Sequence, residues 1–151
     1  MSILTIVKNI KQIHNKYVLL VKLGKFYYCY GRDAYIVSYF FGYKLNLIDA
    51  TTFSCGFPSE SLNKVIAKLE KEKINYLIVD RRNNYDVEEK ENYNKLNSYE
   101  KYFEEAKEKI GVKLRIQKIN NYLIKHSNNK EIKNILIKIE KILQENRLNK
   151  D

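Results

Sequence analysis

Hydrophobic positions along the first 82 residues change period several times, and each change marks an element. Ile3, Leu4, Ile6, Val7, Ile10 and Ile13 recur at helical spacing with Lys8, Lys11 and Gln12 between them, which predicts an amphipathic helix over about residues 4–15. Tyr17 to Leu23 is a short β-branched apolar run, the signature of a buried strand. Gly24 permits a tight turn, and Phe26 to Tyr30 reads as a second strand, so residues 17–30 are expected to form a hairpin. After Gly31 a helix is predicted over about residues 33–41, with Asp33 placed to cap it, Ala34, Val37, Phe40 and Phe41 facing inward, and Gly42 ending it.

Residues 43–47 and 51–55 alternate as strands, and Gly56-Phe57-Pro58-Ser59 has the composition of a turn leading into a helix. Leu62, Val65, Ile66 and Leu69 form that helix's inner stripe, and Asn75 to Asp80 is a buried strand. From Arg81 onward the pattern turns helical. Leu96, Tyr99, Phe103, Ala106 and Ile110 make a heptad-like seam ended by Gly111, and a further helix is expected over residues 114–123, with a strand over Lys113-Leu114-Arg115-Ile116 as the alternative. The Ile132, Ile135, Leu136, Ile139, Ile142 and Leu143 stripe then predicts a last helix. The expected fold class is α+β: a mixed sheet flanked by helices over residues 1–82, followed by a helical C-terminal extension over residues 83–151.

Composition narrows the functional classes. The chain has 151 residues and is 44% hydrophobic and 13% aromatic, enough for a packed core. No apolar run reaches the length of a membrane span, and the first residues lack the basic lead and cleavage site of a signal peptide. A cytoplasmic protein without a membrane association is expected. The net charge of +10 is mostly lysine, 23 residues against 5 arginines. Residues 1–82 carry 13 cations and 6 acids, net +7, whereas residues 83–126 and 127–151 carry +1 and +2, so a polyanion partner is expected for the first part.

That part contains Gly24-Lys25-Phe26-Tyr27-Tyr28-Cys29-Tyr30-Gly31-Arg32, four aromatics in five positions between two glycines, with a cation outside each end of the run. Aromatic rings among cations suit base stacking with phosphate neutralisation. The same composition also describes an ordinary sheet strand, and both readings stand on the residues alone. Other chemistries find less support. Cys29 and Cys55 read as buried thiols, and with His14 and His126 they show no metal-site spacing. Asp49 and Asp80 lack the companion residues of a magnesium-dependent nuclease, and no phosphate-binding Gly-x-x-x-x-Gly-Lys-Ser/Thr loop occurs. No cofactor, metal or catalytic group is expected.

Taken together, residues 1–82 resemble the N-terminal mismatch-recognition domain, domain I, of the MutS family of DNA mismatch-repair proteins. That family has a Gly-Asp-Phe-Tyr-Glu-like segment running into Asp-Ala, matched here by Gly24-Lys25-Phe26-Tyr27-Tyr28 and Asp33-Ala34. Its Ala-Gly-x-Pro turn, Leu-Ala-Lys-Leu helix and following strand are similar to Cys55-Gly56-Phe57-Pro58, Ile66-Ala67-Lys68-Leu69 and Tyr76 to Val79. The resemblance implies that Phe26 is a minor-groove wedge stacking on a base. Tyr28 stands where the family has a base-bonding glutamate, and Lys25 replaces the acidic residue before the wedge. A tyrosine hydroxyl is not a carboxylate acceptor, so the resemblance implies DNA contact without carrying over mismatch discrimination.

The expected function is therefore non-catalytic binding of duplex or distorted DNA, with RNA as a further candidate ligand. The expected site is Lys25, Phe26, Tyr28, Arg32, Lys22 and Lys44. The family's connector, lever, clamp and ATPase portions have no counterpart in the remaining residues, which suggests a free-standing domain. The alternative is an adaptor that has kept the fold, with a homodimer or protein partner engaged through residues 86–148.

Overall fold

The computed structural model describes residues 2–49, 51–89 and 93–146, with Glu88 and Glu89 as backbone alone. Residues 90–92 and 147–148 of the expected partner segment lie outside the described residues. The elements are α1 (Ile3–Ile13), β1 (Val18–Leu23), β2 (Phe26–Tyr30), α2 (Arg32–Phe41), β3 (Leu45–Leu47), β4 (Phe53–Pro58), α3 (Leu62–Lys71), β5 (Tyr76–Asp80), β6 (Glu88–Glu89), α4 (Tyr99–Lys125) and α5 (Lys130–Glu145). They divide into two compact units, Met1–Ile110 and Gly111–Asp151, with α4 contributing to both.

The first unit is built on a mixed sheet in the order β3-β4-β2-β1-β5-β6. Only β1 and β5 run parallel; the remaining pairs are antiparallel. The β1–β2 hairpin pairs Leu23 with Phe26, so Gly24 and Lys25 alone make the connection, and Gly24 takes φ +64° as so short a turn requires. Strand alternation then sorts the side chains. Leu19, Val21, Leu77 and Val79 face α1, where Val7 packs with Ile3 and Ile10, and Tyr30 lies on the same face. On the opposite face, Tyr27, Phe57, Tyr43 and Phe41 form a run of rings with centroids 5.8, 5.6 and 5.4 Å apart. The cross-strand pair Cys29 and Cys55 is fully buried there as free thiols.

Several local expectations change. Asp33 does not cap α2; that role falls to Gly31 at φ +59°, with no side-chain bond. Asp33 is instead buried and accepts from the Leu19 amide at 3.0 Å, Lys11 Nζ at 2.9 Å and the Tyr99 hydroxyl at 2.5 Å. The Gly56-Phe57-Pro58 turn is strand, because β4 continues alongside β2 until Phe26 faces Pro58. The region after Arg81 is not wholly helical, since β6 adds to β5. Gly111 does not end a helix: α4 runs through it, and the helix expected at 114–123 is its continuation. Leu96, assigned to the seam, is exposed.

The first unit also extends beyond residue 82. Asn97 joins the Asn75 amide to the Lys16 carbonyl, and the Tyr93 amide donates to the buried Asn75 side chain at 2.6 Å. Tyr99 is fully buried against Asp33, Tyr102 donates to Glu72, and Phe103 packs on Tyr35. Residues 93–106 thus close the sheet's helical layer.

Candidate nucleic-acid interface

Of the residues that the two glycines bracket, the hairpin end of β2 exposes the first two, Lys25 and Phe26. Phe26 is 42% exposed although it begins a central strand. Its ring lies 6.1 Å from that of Tyr28, tilted by 32°, because residues two apart share one face of the strand. Tyr28 lies over Gly56, its cross-strand partner. A Cβ there would meet Tyr28 Cε1 at 2.7 Å, so the glycine provides the flat floor on which the ring rests. Tyr30 continues the row inward, and burial, with Tyr28, Cys29 and Tyr85 nearby, pushes its hydroxyl up to about 12. The row therefore runs from an exposed hydrocarbon ring at the hairpin to a half-buried neutral phenol.

The cations fall into separate places. Lys25 is exposed in the turn itself, held by its carbonyl accepting from the Ser59 amide at 2.9 Å. Lys22 sits at the same end of the sheet, but on the other face, where its ammonium lies 6.0 Å from the Tyr27 ring centroid. Parallel pairing of Lys22 with Asp80 brings Arg81 and Arg82, which follow β5, beside the hairpin. Lys22, Leu23, Gly24, Asp80, Arg81 and Arg82 line a groove of about 400 Å³ there. Arg82 holds Asp80 by a 3.6 Å ion pair while remaining largely exposed. Neither arginine belongs to the site expected from the sequence; their place beside the hairpin depends on the parallel pairing of β1 with β5, which no local pattern carries.

Arg32 is not brought to this end. It follows β2, roughly 13 Å of strand away from Phe26. Its guanidinium makes a two-pronged pair with Glu100, both distances 2.8 Å, and covers the Phe103 ring at 4.1 Å. Lys44 is exposed just before β3, at the outer edge of the sheet and two strands from β2. Asp49 and Asp80 are also separated, since β4, β2 and β1 lie between β3, which Asp49 follows, and β5, which Asp80 ends. Asp49 accepts the Thr51 and Thr52 amides, which lowers its carboxyl below the ordinary value. His14 and His126 each lie against a tyrosine, and no group of three or more metal-ligating side chains occurs among the described residues.

Charge is distributed differently once the folded units set the boundaries. Residues 1–110 carry 18 cations and 14 acids, net +4, and residues 111–151 carry 10 and 4, net +6. The acids of residues 83–110 belong to the first unit, so that unit is basic locally at the hairpin end and not throughout. No helix among the described residues is long and apolar enough to cross a membrane.

The first unit is thus an α+β domain that carries an exposed phenylalanine at a hairpin end, with the Tyr28 ring beside it and Lys25 in the same turn. The chain belongs to the MutS domain I family, whose family model matches residues 2–100. That domain is a non-catalytic recognition domain associated with DNA mismatch recognition. No curated protein matches the chain.

Proposed function

We propose that this protein is a non-catalytic DNA-binding protein that contacts duplex or distorted DNA through the hairpin end of its sheet. The observation that carries this is the exposure of Phe26 at the wedge position of the family's motif, with Lys25 beside it. Phe26 is the stacking residue, and Tyr28 supports its ring or donates its hydroxyl. Lys25, Lys22, Arg81 and Arg82 contact phosphates, and Lys44 touches a longer duplex only at the sheet's outer edge. With Tyr28 in place of an acid, stacking favours sites that unstack easily, without reading one mispair over another. The cytoplasm suits the buried Cys29 and Cys55 thiols. Arg32, committed to Glu100, has no phosphate role in this arrangement.

Phe26→Ala tests the proposal in a fluorescence-anisotropy titration against plain and mismatched or bulged duplexes at fixed salt. Loss of one stack is worth about 1–3 kcal/mol, so affinity for the distorted duplex falls about tenfold or more and affinity for the plain duplex less. Arg32→Ala leaves both affinities unchanged. Equal binding of wild type and Phe26→Ala to both duplexes removes the wedge. A protein-interaction role, the alternative from the sequence, draws support from the exposed apolar residues of α4 and α5. It becomes the whole function if no complex with DNA or RNA forms at low micromolar protein and low salt.

A further inference from the structure

The second unit is a helical hairpin that leaves much of its hydrocarbon uncovered. On α4, Val112, Ile116 and Ile119 follow one another at spacings of four and three, and each is more than half exposed. On α5, Ile135 and Leu136 recur one heptad on at Ile142 and Leu143, with Ile139 three or four residues from each, and these four are 39–55% exposed. Between the helices an apolar groove of about 600 Å³ is lined by Leu123, Ile124, Ile132 and Leu136. Alternating three- and four-residue spacing on both helices is the pattern of a seam that packs against further helices. A lone pair of helices cannot bury it.

We infer that the occupant of this face is a second copy of the same chain, forming a four-helix bundle from two hairpins. Area supports this. The seven exposed seam side chains just named, with Tyr122, present roughly 80–100 Å² apiece when half exposed, about 700 Å² in all. The stems of the flanking lysines bring this to the ~800 Å² per partner of a standard interface.

The margins of the α5 stripe are also self-complementary. At 3.6 residues per turn, Glu131 and Lys138 flank one side of the stripe and Lys133 and Glu140 the other, while Lys130 and Lys141 fall on the far side. A twofold axis perpendicular to the helix brings like margins together in antiparallel order. Centred near Ile135 and Leu136, it sets Glu131 opposite Lys138 of the second copy and Lys133 opposite its Glu140, each twice. The two margins of α5 therefore attract each other across the axis. An acidic or uncharged partner protein would leave this alternation of sign without a role. The inference is independent of DNA contact by Phe26.

Sedimentation equilibrium of the full chain, free of nucleic acid, tests it. The expected mass is twice the 18.0 kDa of the chain at low micromolar concentration. Glu140→Lys raises the dimer dissociation constant about tenfold or more, because it places Lys against Lys twice. Glu140→Lys combined with Lys133→Glu exchanges the signs and restores the dimer, which a change in helix stability alone does not do. Ile135→Lys gives monomer, with helical circular dichroism reporting that α5 still forms. Wild-type monomer at about 100 μM, where an interface of this size is occupied, overturns the inference. So does a Glu140→Lys defect that persists in the exchanged variant.

Discussion

Replacing Asp33 by asparagine separates two accounts of the same residue by magnitude. As a helix cap, which its place before Ala34 suggests, Asp33 would contribute about 1 kcal/mol, and Asn, an equally good cap, would cost almost nothing. In the structure its carboxylate is 1% exposed and satisfies three donors from three elements, Lys11 of α1, the Leu19 amide of β1 and Tyr99 of α4. Asparagine keeps the shape but puts an NH₂ against one of those donors and leaves the Lys11 ammonium without its counterion. Breaking a buried pair from one side costs about 3–5 kcal/mol. Lys11 retains 19% exposure and relaxes toward water, so the low end, about 3 kcal/mol, is expected. With a urea m-value of about 1.5 kcal/mol/M, the midpoint falls by about 2 M. Urea unfolding followed by circular dichroism measures it, and Lys11→Met together with Asp33→Asn recovers part of the loss through a double-mutant cycle. A midpoint change below about 0.7 M, equivalent to about 1 kcal/mol, would show that the three-way junction does not hold the unit together.

Two further outcomes follow from the site and its surroundings. The Tyr99 hydroxyl is held protonated well above the ordinary tyrosine value, by burial first and then by the Asp33 charge and hydrogen bond. Its stabilisation is complete below pH 10, the unfolded value, and falls above it as only the unfolded chain ionises, by about 1.4 kcal/mol per pH unit. Tyr99→Phe loses stability at neutral pH, yet its urea midpoint declines less steeply between pH 10 and 11.5; parallel declines would contradict the assignment. Gly56→Ala pushes the Tyr28 ring off its floor, lowering affinity for distorted duplex about tenfold while costing only about 1–2 kcal/mol of stability. Unchanged affinity in a folded Gly56→Ala protein would show that Tyr28 does not support the stacking ring.

Local pattern determined much of this protein. The extents of β1 and β2 follow from a β-branched run, a glycine and an aromatic run, and the αL stop of α2 follows from Gly42. The family motif around Phe26 and the helix and strand after Pro58 were legible for the same reason: each depends on neighbours within a few positions. The position of Phe26 at an exposed hairpin end was implied by the motif, but its exposure is a property of what does not cover it.

What the tertiary structure alone decided involves partners far along the chain. Arg32 and Lys25 look alike in sequence, yet one is bound to Glu100, 68 positions on, and the other stands in the turn. Arg81 and Arg82 join the hairpin because β5 pairs parallel with β1, and β6 exists because two residues find the edge of β5. Gly111 passes through α4 because a single glycine costs a helix only about 1 kcal/mol, which neighbouring turns outweigh. Charge obeys the same rule. Acids at 83–110 join the first unit only after Tyr93, Asn97 and Tyr99 dock, so the boundary that sets each unit's net charge is drawn by long-range hydrogen bonds and burial, which no local window contains.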